Sequence, residues 1–271
     1  MKRSVLAFFV FLSALNVIYA EQTIKGGSGL FYARQAGVVD SGKFDIGAFY
    51  NFTDFRVEKD SYPPRSSDNL VQVNAGYGIL GLSEIAVALP VYFNSGFENE
   101  TSIGDITLIG KVALPREPLG GLLKLGATLS VGFPSADKDK LLGSGKANVL
   151  GEANLGLYFH KWSAHLSFGF AEEDYYYEGE PERGLLLKPT LVGSFAFLYN
   201  PIKPIDLVAE FNGKSVRGFE RGDEDLFALI GLRARLLNLL YVQAGAGIGL
   251  PTIIVKTNTD FVFNIGAGIK L

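Results

Sequence analysis

From residue 44 onward the chain alternates between apolar and polar or small residues with a period of two. In the stretch 44–52, Phe44, Ile46, Ala48, Tyr50 and Phe52 share one parity, and Asp45, Gly47, Phe49 and Asn51 share the other. The stretch LKLGATLSVGF (123–133) sets Leu123, Leu125, Ala127, Leu129, Val131 and Phe133 against Lys124, Gly126, Thr128, Ser130 and Gly132. Successive side chains on a strand point to opposite faces, so each such stretch predicts a strand with one apolar face. The same pattern recurs at 70–79, 84–93, 105–114, 148–159, 162–170, 187–199, 205–212, 226–236, 241–250 and 261–271, which makes about 12 strands.

The connections between these strands alternate between long and short. RVEKDSYPPRSSDN is followed by LGLS, AEEDYYYEGEPERG by NPIKP, and GKSVRGFERGDED by LN. Transmembrane barrels have long outer loops and short periplasmic turns, whereas a soluble sandwich has no reason to sort its loops in this way. No stretch after residue 20 has the roughly 20 consecutive apolar residues that a membrane helix needs. The predicted fold is all-β: a transmembrane antiparallel β-barrel with short periplasmic turns and longer extracellular loops. In lipid such a sheet must close, so the last strand is expected beside the one starting near Phe44.

The N-terminus reads differently. Lys2 and Arg3 precede the apolar run Val5–Leu15, and Ala20 offers a small residue for cleavage. Residues 1–20 are read as a signal peptide in preference to a membrane anchor. Residues 21–42, EQTIKGGSGLFYARQAGVVDSG, are left as a periplasmic segment or a small plug entering the lumen, and 43–271 as the barrel. The net charge is −3, or −5 once the leader is removed, which argues against a nucleic-acid partner. The chain has no Cys, so neither disulfides nor a lipid anchor of the lipoprotein kind are expected.

The inward parity carries the candidate lumen-lining residues: Asp45, Glu84, Asp105, Lys111, Lys124, Glu152, His165, Lys188, Asp206, Glu210, Arg233, Arg235 and Lys270. Acids and bases balance, which favours a structural network or a pore for uncharged solutes over a strongly ion-selective one. Asp45 and Lys270 should meet where the barrel closes, and Asp206 and Glu210 should lie one strand from Arg233 and Arg235. Inward glycines such as Gly47, Gly76, Gly126, Gly247, Gly266 and Gly268 read as relief of crowding and as points of curvature. Aromatic girdles are expected from Phe44, Phe159, Trp162, Tyr199 and Tyr241 at the short turns, and from Tyr92, Phe93, Phe133 and Phe261 near the long loops. The tail NIGAGIKL, through Asn264, Gly266, Ile269 and Leu271, is similar to a C-terminal signal for barrel assembly, although many such signals end in Phe. The expected partners are therefore outer-membrane lipid, the barrel-assembly machinery and a small-molecule solute of unknown identity.

No catalytic, cofactor or metal motif emerges. Ser163, His165 and Ser167 share the inner face, but positions two apart on a strand are about 7 Å apart, too far for the contacts of a triad. GSGK (143–146) lacks the upstream Gly of a phosphate loop, GAGIG (245–249) lies inside a strand, and the acidic loop EEDYYYEGEPE lacks Ca²⁺-ligand spacing.

Several stretches, taken in order, resemble the outer-membrane barrel family labelled MetA-pathway of phenol degradation: GKFDIGAFYNF, GLSEIAVALPVYF, GDITLIGKVAL, LKLGATLSVGFPSADKDKLLGSGKANVLGEANLGLYF and LVAEFNGKS. The resemblance runs from about residue 42 to the end. It implies an uptake role for aromatic or other hydrophobic compounds and brings no catalytic residues with it. The leading expectation is passive passage of small molecules, hydrophobic or aromatic ones included, with Glu152, Lys111, Lys188, Glu210 and Arg233 facing the path. The alternative is a non-conducting structural or adhesive barrel that acts through its extracellular loops.

Overall fold

The computed structural model describes residues 21–23, 28–55, 67–95, 100–114, 121–135, 147–175, 186–216, 224–236, 239–250 and 259–271. The expected signal peptide, most of the acidic loop and the GSGK stretch lie outside the described residues.

Two short strands, β1 (Glu21–Gln22) and β2 (Ser28–Gly29), form a small hairpin of their own. The remaining strands are β3 (Phe44–Phe55), β4 (Ser67–Ile79), β5 (Ser83–Ser95), β6 (Glu100–Ile103), β7 (Ile106–Ala113), β8 (Leu123–Phe133), β9 (Asn148–Tyr158), β10 (Trp162–Tyr175), β11 (Leu186–Ile202), β12 (Ile205–Val216), β13 (Glu224–Leu236), β14 (Leu240–Gly249) and β15 (Thr259–Lys270). Every neighbouring pair is antiparallel, and the ring closes through β15 on β3. β6 and β7 both pair with β5 and are two pieces of one barrel strand, which gives 12 strands in the wall.

The break between β6 and β7 has a local cause. Pro90 of β5 has no N–H to give, so proline within a sheet falls at an edge or a bulge. Here the opposing strand bulges. Gly104 donates its N–H to Pro90 O at 2.8 Å. Ser135 Oγ accepts from Ile106 N at 2.8 Å and donates to Gly104 O at 3.0 Å, so the interrupted backbone keeps its partners.

Closure is as the alternation requires. Lys270 pairs in register with Asp45, and Asn264 with Asn51. Phe44 and Leu271 exchange backbone hydrogen bonds at 3.0 and 2.9 Å. Strands run past the predicted apolar stretches on the long-loop side: β10 continues through Glu172, Glu173 and Asp174 to Tyr175.

The two faces of the wall invert the usual arrangement of a soluble protein. Buried positions are rich in polar and charged groups, including Asp45, Asn74, Glu84, Lys111, Glu210 and Arg233. Large apolar side chains such as Ile85, Leu129, Phe168, Phe211 and Ile230 are exposed on the outside. An apolar exterior around a sheet with no open edge is the surface of a barrel in a bilayer. Phe159 stacks on Trp162 at 3.8 Å between ring centroids, and Phe44 meets Tyr77 in a tilted contact at 4.7 Å, forming part of a belt at the short-turn end. Tyr241 and Tyr92 do not join the belts. Tyr241 points inward, its ring covering Gly268 and its hydroxyl donating to Asp45 Oδ1 at 3.3 Å. The Tyr92 ring lies over Gly104. Their inward parity, not their aromatic character, decides where they point.

Leu129 is 54% exposed near the centre of β8. Leu129→Arg should destabilise the barrel by about 2–4 kcal/mol in reversible unfolding in lipid, because it places a charge at mid-bilayer. Leu114→Arg, beyond the end of β7, should cost only about 0–1 kcal/mol.

Candidate functional site: a lumen crossed by its own N-terminal segment

Residues 28–42 lie inside the barrel, against its inner wall. Leu30, Phe31 and Ala33 are fully buried and pack on Ala196, Val208, Leu229 and Val262 of the wall. A turn closed by Leu30 N–H on Ala33 O at 2.8 Å aims three successive amides at one carboxylate. Phe31, Tyr32 and Ala33 donate their N–H groups to Glu210 at 2.7, 2.9 and 3.3 Å, and Asn212 Nδ2 adds a fourth donor at 3.3 Å. A buried carboxylate is tolerated when its lone pairs are filled in this way.

Other contacts carry the segment across the lumen. Arg233 donates from one guanidinium nitrogen to Gly29 O at 3.1 Å and to Gln243 Oε1 at 3.3 Å. Tyr32 donates its hydroxyl to Asn51 Oδ1, and Arg34 forms an ion pair with Glu152. Ser167 Oγ donates to Arg34 O at 3.0 Å, and Val39 N–H donates to Glu84 Oε2 at 3.2 Å. Gly42 N–H reaches Gly78 O at 2.9 Å near the short-turn rim, where the segment leads into β3.

The inner glycines have a more specific role than curvature. Gly231 and Gly245 face each other across β13 and β14, and the Phe31 ring sits over both. A Cβ on Gly231 would stand 2.4 Å from that ring. A Cβ on Gly126 would stand 2.9 Å from Ala36 O. Gly266 and Gly268 lie under Phe49 and Tyr241 of neighbouring strands. The wall is thinned where the plug and the inward aromatics need room.

The predicted lumen residues divide by position. Asp45, Glu84, Lys111, His165, Asp206, Glu210 and Arg233 are buried inside, and the Glu152 side chain is nearly so. Asp105, Lys124, Arg235 and Lys270 keep partial exposure, with Asp105 in the break before β7. Lys188 lies in β11, but its side chain is outside what the structure describes. Glu84 and Lys111 are register partners, as are Asp206 and Arg233, and Arg235 reaches Asp206 at 2.5 Å. Lys124 sits 5.7 Å from the centre of the Tyr158 ring. Glu210 departs from the expected cross-strand pairing: its register partner is Leu229, and its carboxylate serves the plug instead.

Ser163 and His165 also depart from expectation. Their side chains lean together, with Ser163 Oγ 2.8 Å from His165 Nε2. Backbone spacing sets where the Cβ atoms stand, not where long side chains end. His165 Nδ1, however, has no hydrogen-bond partner among the described residues, so no third group orients the ring as a triad requires. Among the described residues no group of three or more His, Asp or Glu is placed to hold a metal ion.

In the last strand Asn264 is buried and donates to Tyr50 O at 3.1 Å, while Ile269 and Leu271 face outward. Arg34, Gln35 and Phe31 were not singled out by periodicity because they precede the first strand. Their signal was the apolar and aromatic run LFYAR inside a stretch of glycines.

No family model and no curated protein matches the chain. Solved structures do. The chain is similar to the COG4313 outer membrane channel from Pseudomonas putida F1, with a TM-score of 0.64 and 14% identity over 87% of this chain and 98% of that one. It is also similar to the NanC porin, with a TM-score of 0.57 and 8% identity over 84% and 100% of the two chains. The KdgM porin follows at a TM-score of 0.53 and 9% identity, over 83% and 98%. The fold is therefore that of outer-membrane channel barrels, and the inverted polarity of the wall places this chain in the same setting.

Gly231→Leu should unseat Phe31 while leaving the wall intact. Burial of a Phe side chain is worth about 1.5–3 kcal/mol. Amide hydrogen exchange of residues 30–34 should then quicken by about 10- to 100-fold, read by mass spectrometry, with little change in the exchange of the barrel strands.

Proposed function

We propose that the protein is a restricted outer-membrane channel that passes small molecules, hydrophobic or aromatic ones included, past a plug made of its own N-terminal segment. The observation that carries this reading is the placement of residues 28–42. They hydrogen-bond to Glu84 on one side of the lumen, Glu152 and Ser167 on another, and Glu210 and Arg233 on a third. A barrel built only to display its loops has no need for such a constriction. The inner charges support the same view. Glu84, Glu152 and Glu210 hold the plug, so no ring of one sign remains to select ions.

In this reading residues 1–20 direct export, and the last strand, with Asn264 and Gly266 inward and Ile269 and Leu271 outward, is what the assembly machinery recognises.

Single-channel recording in a planar bilayer tests the proposal. The wild type should show small openings, and a variant lacking residues 21–42 should conduct at least about threefold more. Equal conductance in the two would overturn the role of the plug. Silence in both would favour the non-conducting structural or adhesive barrel.

A further inference from the structure

The short turns do not share charge evenly. The turns ILGLS (79–83) and LLNLL (236–240) carry none. The turn between β9 and β10 holds His160 and Lys161, and the turn between β11 and β12 holds Lys203. All three side chains are exposed. Neither lysine has an ion pair among the described residues. Asp206, which follows the second turn, is buried in the lumen and held there by Arg235 and Asn200.

The two charged turns are neighbours at the rim. Trp162 pairs in register with Tyr199, and Asn200 donates its N–H to Lys161 O at 2.7 Å. Lys203 stands three residues beyond Asn200, about 10 Å farther along the strand. The long, flexible stems of two lysines at this spacing let both ammonium groups turn toward one headgroup. The lipid side of the same arc is aromatic. Phe159 stacks on Trp162, and Trp162 lies 5.8 Å from Phe197 between ring centroids at an interplanar angle of 29°. Tyr199 is exposed on the same face. The rings form an apolar slab just inside the rim, with cations on the turns at its water-facing edge.

We infer that this arc binds one anionic phospholipid of the leaflet facing the periplasm, with its phosphate between Lys161 and Lys203 and an acyl chain along Trp162 and Phe197. Two ammonium groups with no counter-ion from the protein call for an anion, and phosphate oxygens are strong acceptors for them. The aromatic slab continues the lipid-facing wall, so the anion that meets both parts carries its own hydrocarbon. A zwitterionic lipid would bring a second cation beside the two lysines and gain less. Such a site needs only the membrane setting of the barrel, not conduction.

Trp162 is the single tryptophan of the chain, so tryptophan fluorescence reports this arc alone. The full-length protein is reconstituted in phosphatidylcholine bilayers, with its fold checked by heat-shifted migration. The bilayers contain equal low fractions of either chain-brominated phosphatidylglycerol or chain-brominated phosphatidylcholine, whose bromines quench on contact. Phosphatidylglycerol should quench as a ligand bound about fivefold more tightly, the gain one lysine gives near an anionic surface. Lys161→Gln combined with Lys203→Gln should abolish the preference, and Lys161→Arg combined with Lys203→Arg should keep it. Lys43→Gln, just before β3 and opposite β10 in the ring, should leave it unchanged. Equal quenching by the two lipids overturns the site. So does a preference that survives both glutamines, or one that falls as far with Lys43→Gln, since the whole rim would then be gathering anionic lipid. Inorganic phosphate at constant ionic strength should leave the preference in place; its loss would assign the lysines to a soluble anion and overturn the lipid.

Discussion

Every backbone N–H and C=O in the lipid-exposed wall has to find its partner within the sheet, because the hydrocarbon around it offers none. That constraint explains closure of β15 on β3, the even strand number and the inverted polarity of the two faces. It also explains the repair at the β6–β7 break. Pro90 withdraws one donor from the ladder, and Gly104 and Ser135 restore the pairing of the groups left over. A soluble protein could have left those groups to water.

The inverted polarity creates a second demand. Apolar side chains go outward, so the interior receives the charges, and charges in a narrow lumen must be satisfied there. The barrel meets this partly with lateral neighbours, such as Glu84 in register with Lys111 and Asp206 paired with Arg235. It meets the rest with backbone from residues 28–42, whose amides fill the Glu210 carboxylate and whose Arg34 meets Glu152. The plug and the wall charges depend on each other. Without the segment, Glu210 would lose the three amides that fill it; without Glu210, those three amides would be buried with no acceptor.

The contacts of residues 28–42 follow from the wall they meet. β11–β13 and β15 present Ala196, Val208, Leu229 and Val262 inward, and Gly231 and Gly245 open a recess for Phe31. β8–β10 present Thr128, Asn154 and Ser167. Apolar contact and hydrogen bonds to Glu210 and Arg233 together hold the segment to β12 and β13.

Alternation with period two determined the strands, their inward and outward faces, the pairing of Asp45 with Lys270 and the membrane setting, because each follows from local backbone geometry and from the solvent each face meets. Periodicity also placed Asp206 and Arg233 on neighbouring strands. Parity overruled residue type at Tyr92 and Tyr241, which read as girdle residues but point inward. Only the tertiary structure decided the path of residues 28–42, since a segment with no strand pairing of its own takes its conformation from the walls it touches. Tertiary structure likewise turned Glu210 toward the plug, gave the glycines their partners and brought Ser163 to His165. Those contacts depend on where side chains end across the lumen, and a one-dimensional pattern records only which face each side chain leaves from.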